Sequence, residues 1–203
     1  MIEYLDELKQ DYGFDTPILL SEIAPDKERN VRVRQYLNRK CKEGKIRKFD
    51  RGVYYFPSCG QLFGERVMPP FKVIERKYIT DGLSIYGVYA GFTVLNMYGL
   101  STQVPYVQQI ASNKVSKKRV LTVGKTKIEV RKPPVTITKE NCRAVEIAEL
   151  LAQIPEYQID NYKDRLQEVK KSITPIVSKK ILREVITMYP SEVSKKAIQG
   201  DLL

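Results

Sequence analysis

KERNVRVRQYLNRKCKEGKIRKFDRGVYYFP, residues 27–57, is the stretch whose reading decides the fold of this chain. It carries eleven Lys and Arg against Glu28, Glu43 and Asp50, a net charge of +8. Its first half is a helix pattern. Val33, Tyr36, Leu37 and Cys41 fall on one stripe, and Gly44 is the expected stop. Its second half is a hairpin pattern: KIRKF, a turn at Asp50-Arg51-Gly52, then VYYFP returning. The helix side away from the stripe mixes Arg34 and Arg39 with Gln35, Asn38 and Lys42. Amide and guanidinium groups are the side chains that make bidentate contacts with base edges in a major groove. The hairpin adds Lys45, Arg47, Lys48 and Arg51 beside them.

The residues upstream have the opposite charge. Residues 1–26 hold Lys9 against seven carboxylates, a net −6. Charge segregated in this way forms a face for a polyanion. Residues 2–12 have helical spacing and end at Gly13. Thr16, as an N-cap, and Pro17 predict a second short helix closed by Pro25. Asp26 is the expected cap of the third. Three short helices and a basic hairpin make an N-terminal winged helix-turn-helix over residues 1–60, with the third helix as the reader and the hairpin as the wing. Two other readings stand beside it. Lys and Arg can simply solvate an exposed helix, and winged helices also bind protein or RNA.

The whole chain has 203 residues, 42% of them hydrophobic, and a net charge of +11. That suffices for a packed core and favours an acidic partner. No apolar run approaches the roughly 20 residues that span a bilayer. The acidic N-terminus does not resemble a signal peptide, so the expected location is cytoplasmic, with no membrane partner. Cys41, Cys59 and Cys142 fit no zinc or disulfide spacing and are read as reduced, two of them as core fillers. Histidine is absent, and there is no phosphate-binding glycine loop. No catalytic residue, metal or cofactor is therefore expected, and the chain is not read as an enzyme. Glu146 and Glu149 share one helix side, which an exposed helix face explains more simply than carboxylate catalysis.

Residues 61–203 are expected to form a larger α+β domain, a small antiparallel sheet plus helices. After a connection at 58–72 and a segment at 71–79 that fits helix or strand, residues 84–105 are predicted as an apolar helix. Ala90, Val94, Leu95 and Tyr98 form its buried side, Gly99 its end, and Tyr86, Tyr89 and Phe92 are read as core. Strands follow at 106–111, 119–124 and 127–132, then helices at 139–154, 162–173, 176–189 and 190–199. Residues 114–132 carry a net +7, a second basic surface that fits flanking DNA, an acidic protein, or a sheet edge protected by Lys.

The chain resembles the AbiEi-type antitoxins of type IV toxin–antitoxin (abortive infection) systems and their transcriptional-regulator relatives. The resemblance rests on GKIRKFDRGVYYFP, on YGVYAGFTVLNMYGLSTQVP, on KKRVLTVGKTKIEVRKP and on MYPSEVSKKAIQG. It implies a repressor that binds inverted repeats of double-stranded DNA in its own promoter. It also implies an antitoxin, active in phage defence, that counters a cognate nucleotidyltransferase-type toxin without a necessary stable complex. The DNA-contact positions it implies are Arg32, Arg34, Gln35, Asn38, Arg39, Lys42, Lys45, Arg47, Lys48 and Arg51. Lys117, Lys118, Arg119, Lys125, Lys127 and Arg131 are the expected antitoxin surface. The alternative from another class is a basic protein-interaction module, or a general winged-helix regulator without antitoxin role.

Overall fold

The computed structural model describes residues 2–60, 64–173 and 175–203, and part of the expected connection, residues 61–63, lies outside them. The architecture is mixed α+β, 47% helix and 19% strand. The chain divides into two units, one running to Lys77 together with Val123–Lys125, the other Tyr78–Thr122 with Thr126–Leu203. The first unit thus continues past the boundary expected at residue 60.

In the first unit, α1 (Ile2–Tyr12) ends at Gly13, which has φ +66° and donates its N–H to the Lys9 carbonyl. The second helix is shorter than expected. Ile18–Leu19 form strand β1, and α2 spans only Leu20–Ile23. Thr16 caps nothing; its hydroxyl donates to the Phe14 carbonyl at 3.2 Å. Pairing of Ile18 with Tyr54 and of Leu19 with Val53 has overridden local helix propensity, because it satisfies backbone groups that are fully buried.

Helix α3 (Lys27–Lys42) begins after Asp26. Asp26 occupies the N-cap position but makes no side-chain capping bond. The C-terminus is closed by a Schellman motif. Lys45 N–H reaches the Lys40 carbonyl, Gly44 N–H the Cys41 carbonyl, and Gly44 has φ +75°. Strands β2 (Arg47–Asp50) and β3 (Val53–Tyr55) follow as an antiparallel hairpin turning at Arg51-Gly52, with an irregularity between Lys48 and Asp50. The three strands order as β1-β3-β2. Leu5, Leu8, Ile18, Leu20, Leu37, Ile46, Tyr54 and Phe56 form the core beneath them. A two-strand ribbon, β4 (Cys59–Gly60) and β5 (Gly64–Glu65), and helix α4 (Pro70–Tyr78) complete this part of the chain.

The second unit is built on a four-stranded sheet ordered β6-β7-β9-β8: β6 (Gly87–Ala90), β7 (Val107–Ser112), β8 (Arg119–Val123) and β9 (Thr126–Arg131). It departs from expectation twice. The predicted helix over 84–105 is a strand in its first half, and helix α5 is confined to Gly91–Met97. A continuous apolar run fits a buried strand as well as a buried helix. Gly87 favours the strand: a Cβ there would lie 1.9 Å from the Tyr78 carbonyl oxygen. The sheet is also not wholly antiparallel. β7 pairs antiparallel with β6 but parallel with β9, Val107 opposite Lys127 and Ala111 opposite Arg131.

The helices that follow are α6 (Cys142–Gln153), a 3₁₀ segment at Glu156–Tyr162, α7 (Lys163–Ile173), α8 (Lys179–Thr187) and α9 (Ser191–Gln199). Helix α6 starts three residues later than the expected position 139. Asn141 holds the N-cap position, accepting from the Thr138 N–H and donating to the Thr136 carbonyl. It is buried almost all round, against Val88, Ala90, Val94 and Ala111 of the sheet side and Leu182, Val185, Ile186 and Val193 of the later helices. Glu146 and Glu149 are buried with it, against the expectation of an exposed face. Among the described residues no helix is long and apolar enough to cross a membrane.

Candidate nucleic-acid interface

Helix α3 buries only Leu37 completely; Val33, Tyr36 and Cys41 pack half-buried on the same core. The remaining turns are left to solvent. Arg32, Arg34, Gln35, Arg39 and Lys42 are all exposed. Arg32, Gln35 and Arg39 line one shallow hollow of about 370 Å³, with the Tyr36 ring as its wall. Arg39 and Lys40 each stand 5.7 Å from the centroid of that ring, which spreads cationic charge along the helix side. Arg32, Gln35 and Lys42 have no hydrogen bond or ion pair among the described residues.

The other expected contact residues are partly occupied inside the chain. Asn38 is half-buried, and its Oδ1 accepts from the Tyr54 hydroxyl at 3.2 Å. Arg34 donates to Asn30 Oδ1 at 2.7 Å, one turn back. Glu43 gathers the cations at the helix end: Lys40 at 2.7 Å, Lys45 at 3.6 Å and Arg39 at 3.9 Å. The Lys40 hydrogen bond holds that carboxyl below the usual range. Arg47 makes a two-pronged pair with Glu65, Nε at 2.7 Å and Nη2 at 2.8 Å. Lys48 and Arg51 are exposed on the hairpin, and the turn is held by Asp50 Oδ1 accepting from the Arg51 N–H at 2.6 Å.

The expected reader therefore separates into two groups. Arg32, Gln35, Arg39 and Lys42 on the helix and Lys48 and Arg51 on the turn face outward. Asn38 and Arg47 are engaged within the unit, and Arg34 and Lys45, both exposed, are met by Asn30 and Glu43. Glu65 is the partner sequence reading missed, because nothing in its neighbourhood marks it as the counter-ion of a residue eighteen positions earlier.

The second basic stretch is also divided. Lys117, Arg119 and Lys125 are exposed. Lys118 pairs with Glu129 at 2.8 Å, and Lys127 stands 5.3 Å over the Tyr106 ring. Arg131 is half-buried, and its guanidinium pairs with Glu149 of α6. Glu149 also accepts from the Tyr189 hydroxyl at 2.8 Å, and burial, opposed by Arg131, raises its carboxyl above the usual range. Glu146 accepts from the Tyr98 hydroxyl at 2.9 Å and from Arg143 at 2.7 Å, so both carboxylates are satisfied internally. Phe92, read as core, is instead exposed. Cys41, Cys59 and Cys142 are free, and among the described residues no three His, Cys, Asp or Glu gather as metal ligands.

No curated protein matches the chain. The sequence profile of a family of unknown function matches residues 19–187, a span that includes α3, the hairpin, the sheet and α6. The chain belongs to that family, DUF6088.

Proposed function

We propose that the chain is a winged-helix transcriptional repressor that reads double-stranded DNA with α3 and touches the phosphates with the β2–β3 hairpin. The observation that carries this is the outward face of α3. Arg32, Gln35, Arg39 and Lys42 lie exposed on a helix that needs only Leu37 fully buried to stay attached. Arg32 and Lys42, left without an internal counter-charge, are available for phosphate, Arg39 shares Glu43 with Lys40 and Lys45, and Gln35 among them is available for a base edge. The element order, α1-β1-α2-α3-β2-β3, supports the winged reading. Base reading falls to Gln35, with Arg32 and Arg39 beside it, while Lys48 and Arg51 serve the backbone.

The resemblance to AbiEi-type antitoxins extends the proposal. The chain represses its own operon through inverted repeats and counters a nucleotidyltransferase-type toxin, working in the cytoplasm. Fluorescence anisotropy with labelled duplex DNA across a salt series tests the first part. Affinity should fall linearly on a log–log scale, with a slope of about −0.9 per phosphate contact. Absence of any duplex binding at low salt would instead favour a protein-interaction module. Expressing a neighbouring nucleotidyltransferase reading frame with and without this chain tests the second part: growth arrest relieved by the chain is the expected outcome.

A further inference from the structure

The face of the second sheet that carries Val107, Gln109 and Ala111 of β7 also carries their parallel partners Lys127, Glu129 and Arg131 of β9. One end of this face is closed. Ala111 belongs to the core around α6, and Arg131 pairs with Glu149. The other end is open, forming a groove of about 470 Å³. Its walls are apolar and exposed: Phe92 is 49% accessible, Tyr106 79% and Val104 82%, with Val120 of β8 opposite.

The floor of the groove is polar and fixed. Gln109 Oε1 accepts from the Phe92 N–H at 2.9 Å, and its Nε2 faces Glu129 Oε1 at 3.5 Å. Gly91 permits this, since a Cβ there would lie 2.0 Å from Gln109 Oε1. The Lys118 hydrogen bond holds the Glu129 carboxyl below its usual range, so it is an anionic acceptor near neutral pH. Lys118 is the counter-ion of this acceptor, and Lys127, 5.3 Å from the Tyr106 ring, is the cation left at the edge of the groove.

We propose that this groove binds single-stranded nucleic acid, with an unstacked base against Tyr106 and Phe92. The charge arrangement selects that occupant. Lys127 at the rim attracts a phosphate, aromatic walls stack the base, and a carboxylate at the floor accepts from a base amino or imino group. An acidic peptide would meet the same rim, but its carboxylate would be driven onto Glu129. An apolar peptide would leave the cationic rim without use. The site is separate from the α3 face and does not depend on it.

The test uses the full chain carrying Arg39→Ala and Lys48→Ala, which weakens the duplex-binding face. Fluorescein-labelled single-stranded RNA and DNA of mixed sequence are titrated and followed by anisotropy. Binding should persist in this background. Tyr106→Ala and Phe92→Ala should each weaken it about tenfold, the scale of one lost base stack, and Tyr106→Phe should restore it. Both side chains are exposed, so the fold, checked by circular dichroism, should be unchanged. Absence of single-strand binding, or equal binding by Tyr106→Ala, overturns the proposal. So does a labelled poly-glutamate peptide that binds in a Tyr106-dependent way while the single strands do not.

Discussion

Helices α3 and α6 both carry charge, and they use it in opposite directions. Helix α3 buries Leu37 completely and presents Arg32, Arg39 and Lys42 to solvent. Helix α6 buries nine of its twelve residues, two of them glutamates. The difference lies in where the counter-charge comes from. Around α6 the chain supplies it, Arg131 for Glu149 and Arg143 for Glu146, with the Tyr189 and Tyr98 hydroxyls donating a hydrogen bond to each. Along the outer side of α3 it does not, except at the helix end, where Glu43 gathers Lys40, Lys45 and Arg39. A charge satisfied inside the chain belongs to the fold, and a charge left unsatisfied is available to a partner.

The largest effect that can break this contrast is on stability. Glu149→Ala leaves the Arg131 guanidinium and the Tyr189 hydroxyl without their acceptor and opens a small void. The expected loss is about 2–4 kcal/mol, below the full cost of breaking a wholly buried pair because the Arg131 side chain is 35% exposed. Arg39→Ala should change stability by no more than about 0.5 kcal/mol. Urea unfolding followed by circular dichroism measures both. A similar loss from Arg39→Ala would mean that α3 is held by its charges after all.

The next effect concerns DNA. Gln35→Ala should cost about 1–3 kcal/mol at particular base pairs and leave binding to random duplex nearly intact. Lys48→Ala should weaken all sequences alike and reduce the salt slope by about 0.9. Asn38→Ala sharpens the comparison, because its Oδ1 already accepts from Tyr54. It should lower stability by about 1 kcal/mol and change base preference little. Competition anisotropy with single-base operator variants separates the three; a base-specific loss in Asn38→Ala would return that residue to the reading face.

Much of the first unit was legible because its signals are local. Gly13, Gly44 and Gly52 each stand at positive φ where the pattern required a stop or a turn. The stripe at Val33, Tyr36, Leu37 and Cys41 set the orientation of α3 without help from the rest of the chain. What could not be read depended on distant pairing. Ile18–Leu19 became a strand because β3 was available to pair with it. Gly87–Ala90 became one because β7 was. Glu149 is buried because Arg131 and Tyr189, on elements far along the sequence, come to meet it. The basic surface of residues 114–132 was visible as charge, but the exposed Phe92 and Tyr106 beside it were hidden among residues that read equally well as core.

A smaller effect lies at the end of α3. Gly44→Ala keeps the space it needs, since the nearest atom to a Cβ is Arg47 Nη1 at 3.8 Å. The cost is then conformational alone, about 1 kcal/mol for a left-handed residue acquiring a side chain. Thermal unfolding should show it as a modest fall in Tm. Because the Schellman motif aims the chain into the hairpin, duplex affinity should fall with it. A variant that loses stability with unchanged affinity would mean that the hairpin takes no part in binding.

The smallest effect is in the pH dependence, and its sign differs between the two units. Asp15 accepts from the Ser58 hydroxyl and from the Ser58 N–H at 3.0 Å, and the hydroxyl contact is the main cause of its lowered value. Its contribution to stability is therefore present above the ordinary 3.8 and lost as pH falls through the lowered folded value. Glu149 behaves oppositely. Burial raises it, so its contribution is full below the ordinary 4.5 and is lost as pH rises through the raised folded value. Asp15→Asn should remove the acid-side loss in the first unit. Asn is well suited to that position, where φ is +53°. Glu149→Gln should flatten the dependence of the second unit on the other side, keeping an acceptor for Tyr189 while removing the charge that burial penalises. Urea unfolding at a series of pH values, from neutral to strongly acidic, measures both slopes. If Glu149→Gln left the slope unchanged, Arg131 would be neutralising Glu149 completely, and α6 would hold a balanced ion pair in place of a strained carboxylate.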